Sequence, residues 1–283
     1  MKMLNSMEAL DKRNELVDYG FTVVPEIMPE SLVNQLRIWS DDIFNHVTID
    51  RKIRYQGSDI FVYTERLWTE EADREVRPNH FPDPFAEKIV DLPLQKEVCS
   101  LIGLECLTPD DVVIILSKIG YGPPLYWHQD FMKWNSPEAA APWPTRIFLS
   151  YYLTDTIREN GCLRVIPGTH RKRHRLHDIL PDAHSAEIQE IDDLSHPAFA
   201  DYPDAVDVPM KAGDLLIADA RLMHAAWPNQ TSQRRTLLLA WHDVFSFPNP
   251  PSWWTKEIPE VIKNTGVSYD RSARFRTPTS YIK

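Results

Sequence analysis

Basic charge is in short supply in this chain: 31 Lys and Arg stand against 41 Asp and Glu, a net charge of −10. That balance argues against nucleic acid or an anionic membrane surface as the main partner, because both reward clustered Lys and Arg. A small substrate in a pocket is untouched by it. Cysteine is also scarce. Cys99, Cys106 and Cys162 form no CxxC pair and no even framework, so they read as small buried hydrophobes in a reducing compartment. No apolar run approaches the ~20 residues that a membrane helix needs. The stretch from Met1 to Leu16 carries several charges and no continuous apolar core, so no secretory signal is expected there and the expected address is the cytoplasm. Internal repeats and low-complexity tracts are absent too.

What remains is the composition of a globular protein, 43% hydrophobic and 25% charged, with an excess of proline: 23 against 9 glycines, beside 9 tryptophans. Proline outside sheet interiors implies long, stiffened loops, and tryptophans on such loops suit a pocket lining as well as a core. Glu8 to Tyr19 reads as a short amphipathic helix, Phe21 to Pro25 as a strand, and Pro29 to about Ile43 as a second helix. Asn45 to Pro84 shows no sustained period and reads as loop with short strands; Phe85 to Leu104 resembles a helix interrupted near Pro93. After Pro109 the character changes. Asp111–Ser117, Arg146–Leu153, Cys162–Ile166, Leu215–Ala218 and Thr236–His242 are β-branched or apolar runs of strand type, punctuated by Gly122-Pro123-Pro124, Asn160-Gly161, Pro167-Gly168 and Gly213-Asp214. Helices first and many short strands afterwards predict an α+β, mainly β, class in which helices pack on a sandwich or barrel. Trp134–Pro144 and Arg171–Pro203 interrupt the strands as insertions.

The chemistry is carried by histidine, aspartate and arginine. In Trp127-His128-Gln129-Asp130, alternation along a strand would put His128 and Asp130 on one face, offering an imidazole and a carboxylate side by side. These are two thirds of a facial triad for Fe(II), although a structural hydrogen-bonded pair would look the same. His224 follows roughly a hundred residues later, just past the strand Leu215–Ala218, and Arg235 comes eleven residues after it, opening the last strong strand. That order has a chemical reason. 2-Oxoglutarate chelates iron through its keto acid end and extends its far carboxylate about one strand's width away, where a guanidinium fork pairs with it in bidentate fashion. Arg234 is the rival for this role; neighbours on a strand face opposite ways, and the spacing favours Arg235. His170, His174 and His177 are interleaved with Arg and Lys, which would repel a second cation, so they read as a solvated loop. His242 reads as structural, and Trp127, alternating away from His128, reads as core.

Taken together, His128-x-Asp130, the stretch Asn160-Gly161-Cys162-Leu163-x-Val165-Ile166-Pro167-Gly168-Thr169-His170, Gly213-Asp214, His224 and Arg235 resemble the phytanoyl-CoA dioxygenase family, from about Tyr19 to Phe245. The resemblance implies a double-stranded β-helix (cupin-like jelly roll) with N-terminal helices packed on one sheet. It implies a single domain over 1–283: a helical part to about 108, a β-helix core over about 109–245, and a C-terminal extension over 246–283. It implies Fe(II), 2-oxoglutarate and O2 as the working set, with His128, Asp130 and His224 as metal ligands and Arg235 on the cosubstrate. Carried over position by position, Ser150 matches a strand residue that contacts 2-oxoglutarate in relatives, and Trp134 an aromatic at their active site. One departure stands out: where a serine often hydrogen-bonds the cosubstrate, two residues after the distal histidine, this chain has Ala226.

The expected activity is hydroxylation of an unactivated C–H bond, with desaturation or ring formation as variants; a carboxylate at Asp130 distinguishes the chain from halogenating relatives, which carry a small residue there. Trp134 and Trp143, in the proline-rich insertion, are the candidates for touching a small-molecule substrate, and an amine or quaternary ammonium would suit them by cation–π contact. The competing classes are a cupin-type metal-dependent isomerase or hydrolase and a non-catalytic binding member of the fold. Arg235 and succinate formation would separate the first from an oxygenase, and any 2-oxoglutarate turnover would exclude the second.

Overall fold

The computed structural model of the chain describes residues 4–46, 53–55, 58–63, 93–130, 144, 146–170, 174–181 and 186–246. Helix α1 (Ser6–Tyr19) starts two residues before the expected Glu8 because Asn5 caps it. The Asn5 side chain accepts from the Met7 and Glu8 backbone N–H groups, and Glu8 reaches back to the Asn5 N–H at 2.9 Å. Such a reciprocal box contributes about 1 kcal/mol. The helix stops at Gly20, whose φ of +88° is left-handed. A Cβ there would also lie 2.6 Å from His170 Nδ1, so glycine is required on two counts.

Strand β1 (Phe21–Val24), helix α2 (Glu30–His46), strands β2 (Ile53–Tyr55) and β3 (Ser58–Tyr63) and helix α3 (Pro93–Leu101) follow. The rest of the expected 45–84 loop and of the 85–104 helix lies outside the described residues. Next come β4 (Glu105–Lys118), β5 (Leu125–His128), β6 (Arg146–Tyr152) and β7 (Leu163–Val165), then the short helices α4 (Leu176–Ile179) and α5 (Ala186–Gln189). A 3-10 turn at Pro197–Phe199 leads into β8 (Val206–Val208), β9 (Leu215–Asp219), β10 (His224–Ala226) and β11 (Arg235–Ser246). β4 begins earlier than Asp111 and runs through Pro109. Proline has no N–H to give, and it is accommodated where the β4–β11 register slips, opposite His242.

The described strands form two antiparallel sheets, one of seven strands in the order β1-β9-β6-β11-β4-β3-β2 and one of four in the order β5-β10-β7-β8. Period-two alternation divides the residues of β6 between two cores. Ile147, Leu149 and Tyr151 pack with Leu16, Val33 and Leu36 of the helices and Ile102 just past α3. Phe148 and Tyr152 face the other way, into a cluster with Val165 and Val208 of the smaller sheet and Leu216 and Leu237 of the larger. The described residues 174–181 and 186–205 cover the far side of the smaller sheet, where Leu176, Leu180, Ile188 and Tyr202 meet Trp127, Ile166 and Met223. The order of layers is therefore helices, large sheet, small sheet, covering segment. Among the described residues, no helix is long and apolar enough to cross a membrane. Cys99 and Cys162 are free thiols, both buried; the side chain of Cys106 lies outside the described residues.

Candidate metal centre

His128 closes β5 and His224 opens β10, and the antiparallel register sets them directly opposite each other. Directly opposed residues share a face, and here the imidazole centroids are 4.1 Å apart. Asp130 does not share a strand face with His128, as alternation predicts; it lies beyond the end of β5, where its N–H donates to the Ala220 carbonyl at 2.9 Å. That anchor turns the carboxylate back toward the histidines. Asp130 Oδ1 lies 3.6 Å from His128 Nε2 and 3.9 Å from His224 Nε2, and one ligand atom from each of the three residues falls within 4.8 Å of the others. It is the one such group among the described residues.

The ring orientations are fixed by the backbone. His128 Nδ1 lies 2.9 Å from the Tyr126 carbonyl and His224 Nδ1 3.0 Å from the Leu222 carbonyl. A carbonyl only accepts, so each Nδ1 carries the proton and each Nε2 lone pair is left for a metal. Asp130 is steadied by a side chain: Trp241 Nε1 donates to Oδ2 at 2.9 Å, leaving Oδ1 toward the imidazoles. Two nitrogens from buried imidazoles and one oxygen from the partly buried Asp130 carboxylate converge into a donor set that suits Fe(II).

Farther along the same inner face lies Arg235. It is 4% exposed, no carboxylate partners it among the described residues, and its Nε has no hydrogen bond. Burial pulls the guanidinium below its ordinary pKa, with the Tyr152 hydroxyl and the Cys162 thiol as its titratable neighbours. Arg234, by contrast, is exposed and sets its guanidinium 5.7 Å from the Phe44 ring centroid on the helix side of the sheet. Ser150 is buried on β6 between Phe148, whose ring is 4.9 Å from that of His224, and Tyr152, which neighbours Arg235. Alternation puts all three on one face, so Ser150 stands between the metal end and the arginine end. Ala226 is buried in β10, one step past His224 on the same face. Trp134 and Trp143 lie outside the described residues.

The histidine-rich stretch after Gly168 is corrected by the structure. His170 and His177 are buried rather than solvated. The His170 ring reaches the Val17 carbonyl through Nε2 at 2.9 Å, and His177 Nε2 lies 3.1 Å from Gln129 Nε2. The interleaved cations advertise a wet loop, but His170 turns in against helix α1 and His177 against Gln129. Two residues went unflagged in the sequence. Trp241 shares the two-residue period of Arg235, Leu237 and Leu239, a signal that was there to be read. Lys118, directly opposite Arg235 across β4–β11, is 1% exposed; a lysine ending a strand ordinarily reads as solvent-facing.

The sequence profile of the family described as "Phytanoyl-CoA dioxygenase (PhyH)" matches residues 16–237. The ectoine dioxygenase of Nocardia farcinica is 27% identical over 192 residues, 64% of this chain and 63% of that protein. That of Sphingopyxis alaskensis is 32% identical over 136 residues, 44% of each. The chain thus matches less than two thirds of the length of these relatives. Among solved structures, the epimerase SnoN from nogalamycin biosynthesis superposes with a TM-score of 0.59 at 17% identity, covering 94% of this chain and 93% of that one. EctD from S. alaskensis gives 0.56 at 19% identity, with 83% and 76% covered. At such identities the likeness concerns the fold.

Proposed function

The chain belongs to the phytanoyl-CoA dioxygenase family, and from that premise we propose that it is an Fe(II)- and 2-oxoglutarate-dependent dioxygenase that hydroxylates an unactivated C–H bond of a small molecule. The two sheets are then the two halves of a double-stranded β-helix, forming a single domain. The observation that carries the reading is the pairing of a convergent His128–Asp130–His224 donor set with a buried, carboxylate-free Arg235 on the same inner face.

The iron, once bound, supplies the oxidising power by coupling O2 reduction to decarboxylation of 2-oxoglutarate to succinate. The chain's residues do the rest. His128 and His224 offer Nε2 with their protons held on Nδ1, and Asp130 offers Oδ1 while Trp241 occupies Oδ2. Arg235 takes the far carboxylate of the cosubstrate as a bidentate, charge-assisted pair, and Ser150 contacts the cosubstrate between the two ends. The buried aromatic walls around the histidines, Tyr126 and Phe148, keep bulk water from the reacting centre. Asp130 fills the position that a halide would need, which favours hydroxylation.

A small-molecule substrate fits the relatives named as ectoine dioxygenases. Trp134, six residues after His128 in sequence, and Trp143 are its candidate contacts, with an amine- or ammonium-bearing compound as the class to try first. The test is succinate formation by Fe(II)-loaded protein across a substrate panel, with cosubstrate binding measured in parallel without oxygen. Substrate-stimulated succinate is the expected result. A metal-loaded protein that neither binds 2-oxoglutarate nor releases succinate with any compound would overturn the reading.

A further inference from the structure

Lysine is among the residues least often buried without a partner, because its ammonium loses its hydration shell. Lys118 is nevertheless 1% exposed, at the end of β4, and no carboxylate or hydrogen-bond partner accompanies it among the described residues. Its position sharpens the problem. The β4–β11 register sets it directly opposite Arg235, so two cationic side chains leave neighbouring strands on one face. Both are buried, and each raises the electrostatic cost of the other. Burial holds the lysine amine well below its ordinary pKa, and the charge of Arg235 adds to the effect. The remaining titratable neighbours of Arg235 are the Tyr152 hydroxyl, pushed up to about 12 by burial, and the Cys162 thiol, pushed up to about 11. Neither supplies an anion near neutrality.

The path of the side chain is defined by Gly161. A Cβ on Gly161 would come within 2.9 Å of Lys118 Cδ and 3.0 Å of its Cε, and within 2.8 Å of the Trp227 carbonyl oxygen. The lysine stem therefore runs through the gap that this glycine, at a φ of +89°, leaves open beside the end of β10. That is the neighbourhood of Ala226, the residue immediately before Trp227 and the one that offers no hydroxyl.

We propose that Lys118 is a second cationic anchor for the distal carboxylate of the cosubstrate, acting beside Arg235 and supplying the donor that Ala226 lacks. The inference rests on the 2-oxoglutarate reading above. Two buried cations on one face with no carboxylate among the described residues form a site that a carboxylate completes: it relieves the repulsion between them and gives each a charge-assisted bond.

The test compares two ligands on protein loaded with Zn(II), by calorimetric titration: 2-oxoglutarate, and 2-oxopentanoate, which keeps the chelating end and the length but has no distal carboxylate. Lys118→Met is expected to weaken 2-oxoglutarate binding by about 30-fold or more, in the range for a lost charged partner. Binding of 2-oxopentanoate should stay within about twofold. The same substitution is expected to leave the unliganded melting temperature unchanged or higher, since an unpaired buried amine is replaced by an apolar chain of similar shape. A residue that merely supports the fold would show the reverse, lower stability with the ligand ratio intact. If Lys118→Met does not fold, Lys118→Gln, close in length, reads out through the same ratio. Unchanged 2-oxoglutarate affinity, or equal loss for both ligands, overturns the role of Lys118. Failure of the wild-type protein to bind 2-oxoglutarate at all overturns the oxygenase reading, and this inference with it.

Discussion

Replacing Trp241 with phenylalanine removes one N–H and keeps an aromatic ring on the inner face of β11. The lost contact is the 2.9 Å donation from Nε1 to Asp130 Oδ2. With both partners in place, Asp130 presents Oδ1 at 3.6 and 3.9 Å from the two imidazole nitrogens. Without the indole, Oδ2 loses this donor and the carboxylate is less restrained about χ2, so the bound geometry is held less firmly. A hydrogen bond to a charged acceptor contributes ~1.5–3 kcal/mol, and loss of an outer partner of a metal ligand typically lowers metal affinity ~10–100-fold. The two figures agree, since tenfold corresponds to about 1.4 kcal/mol. Trp241→Phe should therefore weaken Fe(II) or Mn(II) binding by roughly one to two decades, measured by competition with a chromogenic chelator under anaerobic conditions. Thermal unfolding of the metal-free variant provides the control for packing, because Trp241 is half-buried beside Leu239 and the inner core. A folded variant whose metal affinity lies within twofold of the parent's would show that Asp130 is oriented without the indole.

His224→Ala should abolish metal-dependent turnover and lower metal affinity beyond the ~10–100-fold of an outer partner, with the fold retained by circular dichroism; full activity in iron alone would refute the ligand assignment. Arg235→Ala should raise the 2-oxoglutarate requirement by tens- to thousands-fold, the ~2–5 kcal/mol of a broken buried charge pair, while Arg234→Ala, at an exposed position, should change it little; equal small effects in steady-state titrations would misplace the cosubstrate. Asp219→Asn should destabilise the fold by about 3–5 kcal/mol, because it breaks the buried pair in which Arg221 Nη2 donates to Asp219 Oδ2 at 2.6 Å. Burial alone would raise the Asp219 pKa, but the charge and hydrogen bonds of Arg221 hold it below its ordinary value. A depressed carboxylate pKa stabilises the fold above the unfolded-state value and loses that contribution as pH falls through the folded-state value. The parent should thus show an acid-induced loss of stability in denaturant titrations that Asp219→Asn lacks.

The larger strands were legible because their residues alternate between two dry cores, so β6, β9 and β11 stand out as apolar runs whichever face is counted. β10 is three residues long, too short for any period to show, although it carries a candidate metal ligand. His224 was legible through its spacing to Arg235 instead. The route to Asp130 was misread for a related reason: alternation describes residues within a strand, and Asp130 is positioned by a backbone bond to Ala220 just after the strand ends. The buried histidines were misjudged because charge density in sequence reports the average of a loop, whereas His170 and His177 are individually drawn inward by Val17 and Gln129. Lys118 could not be found from local sequence, since its meaning comes only from what faces it across β4–β11.

The two kinds of support at the candidate centre differ in how they withstand mutation. The imidazoles of His128 and His224 lean on main-chain carbonyls two residues behind them. A main-chain carbonyl is present whatever amino acid occupies the position, so the codons for Tyr126 and Leu222 can drift without erasing those acceptors. Asp130 leans on an indole that a single nucleotide change can remove. Genetic variation that tunes the grip on the metal while sparing its ligands is therefore funnelled to the carboxylate side, and a selection for weaker or stronger metal retention should return changes at position 241 well before it returns any beneath the histidines.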